Sequence, residues 1–383
     1  MRLPDGSTTV LDNGQHIMVG AYSETIRMMG QVGIDPRHVL LRMPLCLRFP
    51  DGGGLALPSW RAPFDTVAGI LRASRWSARD KGSLLLVALG WRLAGFRCRP
   101  EETVRQLCRG LTARVMAELI EPLCVSALNT PPGRSSAQVF LRVIRDALFT
   151  QDGSNLLLPR CDLGSLFPDR AVQWVQERGG LVLLAHRVTR LEERDGGWLV
   201  DGTPFDCVML AVPHWEATRL LQANAVAAEA WLAAAGALRD EGIATIYATG
   251  GGRLALPLLA LRSGTGAPAQ FVFDRSQLGG PAGLWAFVVS ASNGDQETLQ
   301  REVMAQAHAL GWTSLEPLLT VIEKRATFAC TPCLQRPPAR IAPGLLACGD
   351  YVDGPYPSTL EGAVRSAIDA VAALGARVTS GVI

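Results

Sequence analysis

The residues best suited to chemistry lie near the carboxyl end of the chain, where the pattern predicts a strand, a turn and a helix. An apolar strand over residues 345–348 ends at Gly349 and Asp350. Ser358, with Glu361 three positions later, predicts a capping box at the start of a helix. Asp350 is placed to accept hydrogen bonds from sugar or ribityl hydroxyls. Free N–H groups and the positive end of the helix dipole would suit a diphosphate or an anionic reduced flavin ring. The alternative is an ordinary capped helix after a surface turn.

Two histidines are candidates for proton transfer, because an imidazole with a pKa near neutrality can serve as a general acid. His16 closes a polar turn over residues 11–16 and is the better candidate. The alternative role for His16 is a hydrogen bond to the flavin or the backbone. His214 follows a predicted strand over residues 206–212, and the more ordinary roles for this residue are to cap the next helix or to lie at a domain surface.

The cysteines do not indicate a metal centre. Cys330 and Cys333 have the spacing of a metal or redox pair, but no second pair accompanies them. We therefore predict that the two residues are structural or incidental and that they form no metal site. The nine cysteines of the chain show no paired framework, so a reducing cytoplasm is the predicted compartment.

The elements that must position these residues form helical and strand-rich segments. Helices are predicted over residues 80–96, 104–109, 112–125 and 136–148, either as a cap over a substrate cavity or as a plain helical subdomain. Strands are predicted over residues 181–185, 187–193 and 206–212, with more strands between residues 243 and 291. A helix over residues 296–310 and a strand over residues 320–328 precede the terminal unit.

The composition of the chain limits the classes of protein to which it can belong. The chain has 383 residues, of which 48% are hydrophobic and 19% charged, which fits two domains with a large core and excludes a disordered chain. The formal charge of +2 gives no reason to expect nucleic acid. The most apolar run, over residues 83–96, contains Arg92 and is shorter than the roughly 20 residues that a membrane span needs. It predicts either a buried helix or an interfacial helix flanked by Arg92, Arg97 and Arg99.

Three segments together resemble one family. They are residues 11–16 with residues 20–22, residues 121–132 with residues 136–140, and residues 349–351 with residues 361–366. The third segment resembles the FAD segment of the amine oxidase and phytoene desaturase superfamily. All three together resemble the hydroxysqualene dehydroxylases, also called squalene-associated FAD-dependent desaturases, and the likeness covers nearly the whole chain.

The resemblance implies an α/β protein in which a Rossmann-like FAD domain of the glutathione-reductase type is interleaved with a mixed sheet-and-helix substrate domain. It places the FAD-binding domain at residues 1–50, 160–242 and 340–383, and the substrate domain with its helical cap at residues 51–159 and 243–339. It implies reductive removal of the allylic hydroxyl of hydroxysqualene to give squalene, a C30 isoprenoid. Squalene-synthase-like enzymes would supply the alcohol, and contact with the inner face of the cell membrane would be peripheral.

The resemblance also assigns residues. Gly349 and Asp350 would meet the ribityl and diphosphate region of FAD. The start of the last helix would lie under the isoalloxazine ring, through Thr359, Glu361, Gly362 and Ala363. Val188, on the second of two predicted strands, would contact adenine through its backbone. Asn13, Gly14, Gln15 and the candidate acid His16 would lie near the flavin ring and the substrate.

One family feature is not found in the sequence. The family opens with a strand, a glycine-rich turn and a helix that bind the dinucleotide, but no Gly-x-Gly-x-x-Gly occurs here. A misassigned start codon is the favoured explanation, and a truncated paralogue or a protein completed by a second chain are the others. Two other functions stay open at this point: a polyprene desaturase with reversed electron flow, and a non-catalytic isoprenoid-binding remnant or partner subunit.

Overall fold

A computed structural model describes residues 1–3, 6–150 and 152–380. The chain divides into two compact units. The first unit contains Met1–Trp174 and Asp240–Pro332, and the second contains Val175–Arg239 and Cys333–Ile383. The first compact unit therefore contains residues 1–50 and 160–174 together with the predicted helices of residues 80–148. From the sequence, residues 1–50 and 160–174 were predicted to belong to the FAD-binding domain. Because a compact unit is not defined by the ligand that it binds, the predicted cofactor and substrate domains stay predictions.

The helices and strands are numbered here in chain order. The strands are β1 Met18–Val19, β2 Leu40–Met43, β3 Cys46–Arg48, β4 Gly54–Ala56, β5 Leu156–Pro159, β6 Leu191–Arg194, β7 Gly197–Val200, β8 Thr203–Phe205, β9 Val208–Leu210, β10 Asp240–Thr249, β11 Leu258–Ala260, β12 Phe271–Asp274, β13 Trp285–Ser292, β14 Glu316–Phe328, β15 Arg340–Ala342 and β16 Leu345–Ala347. The helices are α1 Ser23–Gln31, α2 Pro36–Val39, α3 Phe64–Leu71, α4 Ala78–Leu93, α5 Val104–Leu107, α6 Ala113–Val115, α7 Glu121–Leu128, α8 Ala137–Phe149, α9 Leu163–Leu166, α10 Pro168–Gln176, α11 His214–Ala223, α12 Glu229–Gly236, α13 Gln296–Ala309 and α14 Leu360–Ser380. A π-helical turn at Met116–Ile120 joins α6 to α7, and a 3-10 turn at Arg275–Leu278 follows β12.

A five-stranded antiparallel sheet forms the centre of the first unit, in the order β11-β12-β13-β10-β14. Nearly every residue of β13 is buried, because both faces of the sheet are covered. On one face, α13 presents Leu299, Val303 and Ala307 at a spacing of four residues, and these pack with Ile246 and Phe287 of the sheet. Smaller sheets, β1-β5-β2 and β3-β4, belong to the same unit.

A layer of helices, α3 to α8, belongs to the same unit, and Asn129 ties it to the sheet. Asn129 ends α7 in the left-handed conformation, with φ of 43°. Its amide Nδ2 donates to Thr327 Oγ1 on β14 at 2.9 Å, and its Oδ1 accepts from the backbone N–H of Ala291 on β13 at 2.6 Å. The segment of residues 128–132 that carries the family resemblance therefore contributes structure, because it anchors the helices on the sheet.

The second unit contains the strand–turn–helix predicted from the sequence. Strand β16 runs parallel to β9 and antiparallel to β15. Helix α14 packs Ala370 against Leu346 and Cys348 of the strand segment. The hairpins β6-β7-β8 form a separate sheet, in which the buried Trp198 donates from Nε1 to the Pro343 carbonyl at 3.0 Å.

Most of the predicted elements are present, and the exceptions lie before β6. Strand 206–212 is confirmed as the shorter β9, helix 296–310 as α13, and the helical segment as α4 to α8. The strand predicted over residues 181–185 is wrong, and the strand predicted over residues 187–193 is confirmed only at its end. Residues 181–190 form no strand, and β6 begins at Leu191. Leu181 and Leu184 are each 81% exposed, so the apolar residues that suggested a buried strand have no neighbouring strand to pair with.

Candidate active site

The turn between β16 and α14 is built around Thr359 and Ser366. Thr359 Oγ1 accepts a hydrogen bond from the Gly362 N–H at 2.9 Å, so Thr359 caps the helix and the predicted capping by Ser358 is wrong. Ser358 has φ of 56°, outside the extended conformation usual for an N-cap residue. Ser366 Oγ accepts from the Gly349 N–H at 2.8 Å and thereby fixes the end of the strand segment on the helix.

Two of the predicted glycines stand where a side chain would not fit. A Cβ on Gly362 would lie 1.9 Å from the Tyr356 carbonyl oxygen, and a Cβ on Gly349 would lie 2.7 Å from the Tyr351 ring. Glu361 is fully buried and accepts from Arg365 Nε at 2.8 Å, so it holds the first turns of α14 together. The predicted residues 359–363 therefore form one close-packed helix start.

Asp350 is the charged group at this end of the strand. Burial raises the pKa of its carboxyl group, while His214 and Arg336 oppose the shift. Arg336 is engaged elsewhere, because its guanidinium donates to the carbonyls of Val352, at 2.8 Å, and Gly354. A desolvated carboxylate of this kind is stabilised by any ligand hydroxyl that donates to it. His214 stands in the first turn of α11, with its ring edge on Tyr351 at 5.9 Å between centroids, and Pro213 is the N-cap. The predicted capping role of His214 is therefore wrong.

These residues fit the flavin that the sequence predicts. The parallel strands β9 and β16 end side by side, and ligands of parallel α/β sheets bind beyond those carboxyl ends. Asp350 offers an acceptor for polyol hydroxyls, and the start of the long helix α14 favours negative charge. At Gly349 and Gly362 the neighbouring atoms of the turn leave no room for a side chain. Gly349, Asp350 and the start of α14 could hold FAD.

A second group of predicted residues lies in the first unit, in the turn before β1. Gln15 Nε2 donates to Tyr247 Oη at 2.8 Å, and Tyr247 Oη donates to the Asp12 carbonyl at 2.8 Å. Arg275 Nη1 donates to Gln15 Oε1 at 3.0 Å. Burial raises the pKa of Tyr247 to about 12, so its hydroxyl is neutral and can donate. Gln15 therefore holds the turn in one shape.

This turn presents Asn13 and His16, whose side chains both reach solvent. The surrounding protein nevertheless partly desolvates the His16 imidazole. This desolvation lowers the pKa of His16, and the Asp12 carboxylate opposes the shift. His16 is therefore mostly neutral at pH 7, and it becomes a cationic acid only as the pH falls.

An apolar cavity lies within the helical layer. It is lined by residues of α3, α4, α8, the π-helical turn and the β3-β4 hairpin, among them Ile70, Leu84, Trp91, Leu119 and Ile144. Thr66 is the one polar residue in the lining. The cavity volume is about 70 Å³, whereas bound organic ligands occupy roughly 300–1,000 Å³. A long hydrocarbon could enter only if these side chains moved apart.

The structure revises other parts of the predicted site. Val188 lies in the irregular segment before β6 and not on a strand. The predicted contact of its backbone with adenine therefore does not have the strand that was expected to position it. Tyr247, Arg275 and Arg336 were missed, because no local pattern relates them to the residues that they hold. Among the described residues, no group of three or more His, Cys, Asp or Glu side chains could hold a metal ion.

Comparisons with known proteins agree on one family. The model for flavin containing amine oxidoreductases matches residues 2–375. A hydroxysqualene dehydroxylase of Rhodopseudomonas palustris (strain ATCC BAA-98 / CGA009) is 30% identical over 96% of this chain and 87% of its own length. A protein of the same name from Sinorhizobium fredii (strain NBRC 101917 / NGR234) is 26% identical over 94% of this chain and 86% of its own.

A solved structure supports the fold. Cyclohexylamine oxidase from Brevibacterium oxydans IH-35A aligns with a TM-score of 0.64 and 14% identity, over 96% of this chain and 88% of that chain. At this identity the likeness shows the fold alone. With it, the predicted α/β fold of an FAD-binding oxidoreductase is confirmed. Because the family model spans nearly the whole sequence, this chain belongs to the flavin containing amine oxidoreductase family.

Proposed function

We propose that this protein is an FAD-dependent hydroxysqualene dehydroxylase, which removes the allylic hydroxyl group of hydroxysqualene and yields squalene. The observation that carries the proposal is the similarity, over 94% and 96% of the chain, to two proteins of that name. The cofactor is FAD, and we assign its binding to Gly349, Asp350 and the start of α14. Contacts of Asn13, Gly14 and Gln15 with the flavin ring, and of Val188 with adenine, stay predictions.

The reaction makes three demands on the residues of the chain. When bound, reduced FAD supplies the hydride that replaces the hydroxyl group. The carbon–oxygen bond breaks, and the leaving oxygen must receive a proton in order to depart as water. We assign delivery of this proton to His16, held by the turn that Gln15 and Tyr247 fix. The remaining demand is exclusion of water, which an apolar substrate site meets.

The apolar cavity in the helical layer is the proposed site for part of the C30 chain. Apart from Thr66 its lining residues are apolar, so a hydrocarbon that enters leaves few polar groups without hydrogen-bond partners. The volume of about 70 Å³ is too small for the whole substrate, so we expect binding to widen the cavity. Replacing Ala88 in the lining with Phe should raise KM for hydroxysqualene and leave flavin binding unchanged.

The direct test is anaerobic turnover with chemically reduced flavin and hydroxysqualene, followed by mass spectrometry of the lipid extract. We expect squalene as the product. His16→Ala should keep its flavin absorption and lose at least about tenfold in turnover, because a positioned acid contributes roughly 10²–10⁴-fold. His38→Ala, on the exposed helix α2, is the matched control and should keep the original rate.

The pH dependence separates an acid from a structural role for His16. Because the pKa of His16 is lowered, turnover should rise as the pH falls towards that pKa and level off below it. A His16→Ala protein with unchanged turnover would remove His16 from the mechanism. If squalene does not form but a polyprene is dehydrogenated with oxidised flavin, the protein is a desaturase. If it neither carries out chemistry nor binds flavin but still binds hydroxysqualene, it is a non-catalytic isoprenoid-binding protein.

Two further assignments rest on the proposed reaction. The alcohol must come from an enzyme that joins two C15 units and leaves a hydroxyl group, which is squalene-synthase-like chemistry. A C30 substrate and product are soluble in lipid, so we propose peripheral contact with a membrane. None of the helices in the described ranges combines the length and hydropathy needed to cross a membrane.

A further inference from the structure

Helices α3 and α4 expose apolar side chains in two regular rows. On α3, Phe64 and Leu71 are 69% and 56% exposed, and Val67 between them is also exposed. On α4, Leu86 and Leu93 are 72% and 80% exposed, and Leu89 stands between them. Each row has the spacing i, i+3, i+7, which places its members on one face of a helix. We call these six residues, with the exposed Trp60, the outer face.

Helix α4 is apolar on the opposite side as well. Leu84, Ala88 and Trp91 line the apolar cavity described above, and α3 contributes Thr66 and Ile70 to it. The core therefore accounts for the inner side of both helices and leaves the outer face without a role in folding. A helix that is apolar on all sides is normally covered on all sides, by protein or by lipid.

The segment that carries the outer face has an excess of positive charge. Within residues 58–100 the acidic residues are Asp65 and Asp80, and both are buried. The Asp80 carboxylate is engaged by Ser77 and Thr112. The exposed arginines of the same segment are Arg61, Arg72, Arg75, Arg79, Arg92, Arg97 and Arg99. Of these, Arg75 is ion-paired with Asp51 at 3.3 Å. The guanidinium of Arg72 lies 4.8 Å from the centroid of the Trp60 ring, which joins the cationic rim to the aromatic end of the face.

From these observations we propose that the outer face is a docking surface for an anionic phospholipid bilayer. Exposed leucine, phenylalanine and tryptophan side chains enter the boundary between headgroups and acyl chains, and the arginines meet the lipid phosphates. Anionic lipid is the occupant that satisfies both the apolar area and the excess of positive charge. This surface gives the peripheral contact of the proposed function a location.

The same two helices separate the outer face from the apolar cavity. With the outer face on a bilayer, a hydrocarbon leaving the membrane passes between or around α3 and α4 and reaches the cavity without crossing water. This second step rests on the proposed isoprenoid substrate, whereas the docking step does not. Vesicle binding therefore tests docking independently of turnover.

The experiment is co-sedimentation of the purified full chain with vesicles of phosphatidylcholine alone and of phosphatidylcholine with phosphatidylglycerol. We expect binding to the anionic vesicles, weakened by added salt. Leu89→Glu combined with Leu93→Glu should lower the vesicle partition coefficient at least about tenfold, because two leucines no longer enter the lipid. Leu181→Glu combined with Leu184→Glu is the matched control, since both leucines are 81% exposed and lie outside the outer face. Its partition coefficient should match that of the original protein.

Both variants change surface residues, and an unchanged melting temperature confirms that each is folded. Failure of the original protein to bind anionic vesicles would overturn the proposal, as would equal losses in the two variants. A dimer that Leu89→Glu with Leu93→Glu dissociates, without vesicle binding, would show that a second copy covers the outer face. If docking holds and squalene is not formed, the proposed reaction fails and the docking surface stands.

Discussion

At the scale of single residues, Asp350 meets opposite demands in the free and the flavin-bound protein. Burial raises the pKa of its carboxyl group, so the ionised form is unfavourable while no ligand donates to it. Hydroxyl groups of a bound polyol would add hydrogen bonds to those that the backbone N–H groups of Asp350 and Tyr351 already donate. The Asp350 carboxylate then lowers the stability of the flavin-free protein and raises the affinity for FAD. One substitution can separate these two effects.

We expect Asp350→Asn to stabilise the flavin-free protein at pH 7 and to weaken FAD binding. A folded-state pKa raised above the unfolded value of about 3.9 favours the folded state most at low pH, and this advantage is lost as the pH rises through the raised pKa. The amide cannot ionise, so its stability should lack that fall. FAD affinity should drop about ten- to a hundredfold, because a hydrogen bond to a charged group contributes about 1.5–3 kcal/mol. Urea unfolding against pH and flavin titration measure the two effects. Weaker binding together with lower stability at neutral pH would contradict the argument.

Two buried tyrosines allow a test of the hydrogen bonds that hold the turn of residues 12–16. One bonds to the turn, and the other serves as a control. Tyr247 Oη bonds to Gln15 and Asp12, whereas Tyr351 Oη is buried without a hydrogen-bond partner. Tyr247→Phe should lower the free energy of unfolding by about 1–3 kcal/mol, because two polar groups lose their partner. Tyr351→Phe removes an unsatisfied hydroxyl and should be neutral or stabilising. Urea denaturation of the flavin-free proteins gives the comparison, and the reverse order would refute the assigned roles.

At the scale of elements, the sequence was informative where a signal is local. The helical spacing of α4, α8 and α13 and the apolar run of β9 are contained within each element. The cap of α14 was misassigned by one residue, because Ser358 and Thr359 differ in backbone conformation and not in chemistry. Residues 181–193 look like two strands, yet a strand requires a partner, and only Leu191–Arg194 has one in β7.

The candidate site, like the helices and strands, could be predicted from the sequence only where its residues form a local pattern. Gly349, Asp350 and residues 359–363 form a contiguous motif that the fold keeps together. Tyr247 and Arg275 lie more than 200 residues from Gln15 in the chain, so their contacts depend on tertiary structure alone. Local patterns therefore identify the turn that holds His16 but not the residues that hold the turn.

Two glycines in helices give a prediction at the scale of elements. Replacement by alanine should have opposite effects on stability at the two positions. Gly362→Ala places a Cβ 1.9 Å from the Tyr356 carbonyl, so the start of α14 must shift; we expect a loss of about 1–3 kcal/mol in unfolding free energy and weaker FAD binding. Gly90→Ala in α4 meets nothing within 4 Å and should stabilise by up to about 1 kcal/mol, because alanine is the better helix former. Thermal unfolding with and without FAD checks both. If Gly362→Ala were as stable as Gly90→Ala, the close packing of the α14 start would be disproved.

At the scale of the molecule, the division into two compact units lets FAD binding be located by amide hydrogen exchange. A ligand that binds the folded state stabilises it by about 2.7 kcal/mol at a concentration of 100 times Kd, and the amides nearest the ligand report this most directly. We expect FAD to slow exchange in residues 349–366 of the second unit. The five-stranded sheet of the first unit, β10 to β14, should change little, because it forms a core of its own.

The turn of residues 12–16 supplies an independent measurement in the same experiment. Slower exchange there would support the predicted contacts of Asn13, Gly14 and Gln15 with the flavin, and no change would remove them from the cofactor site. In the Asp350→Asn protein, the same protection of residues 349–366 should require about ten- to a hundredfold more FAD, in proportion to the lost affinity. Protection spread evenly over both units would instead report a general gain in stability and would withdraw the assignment of FAD to the β16–α14 turn.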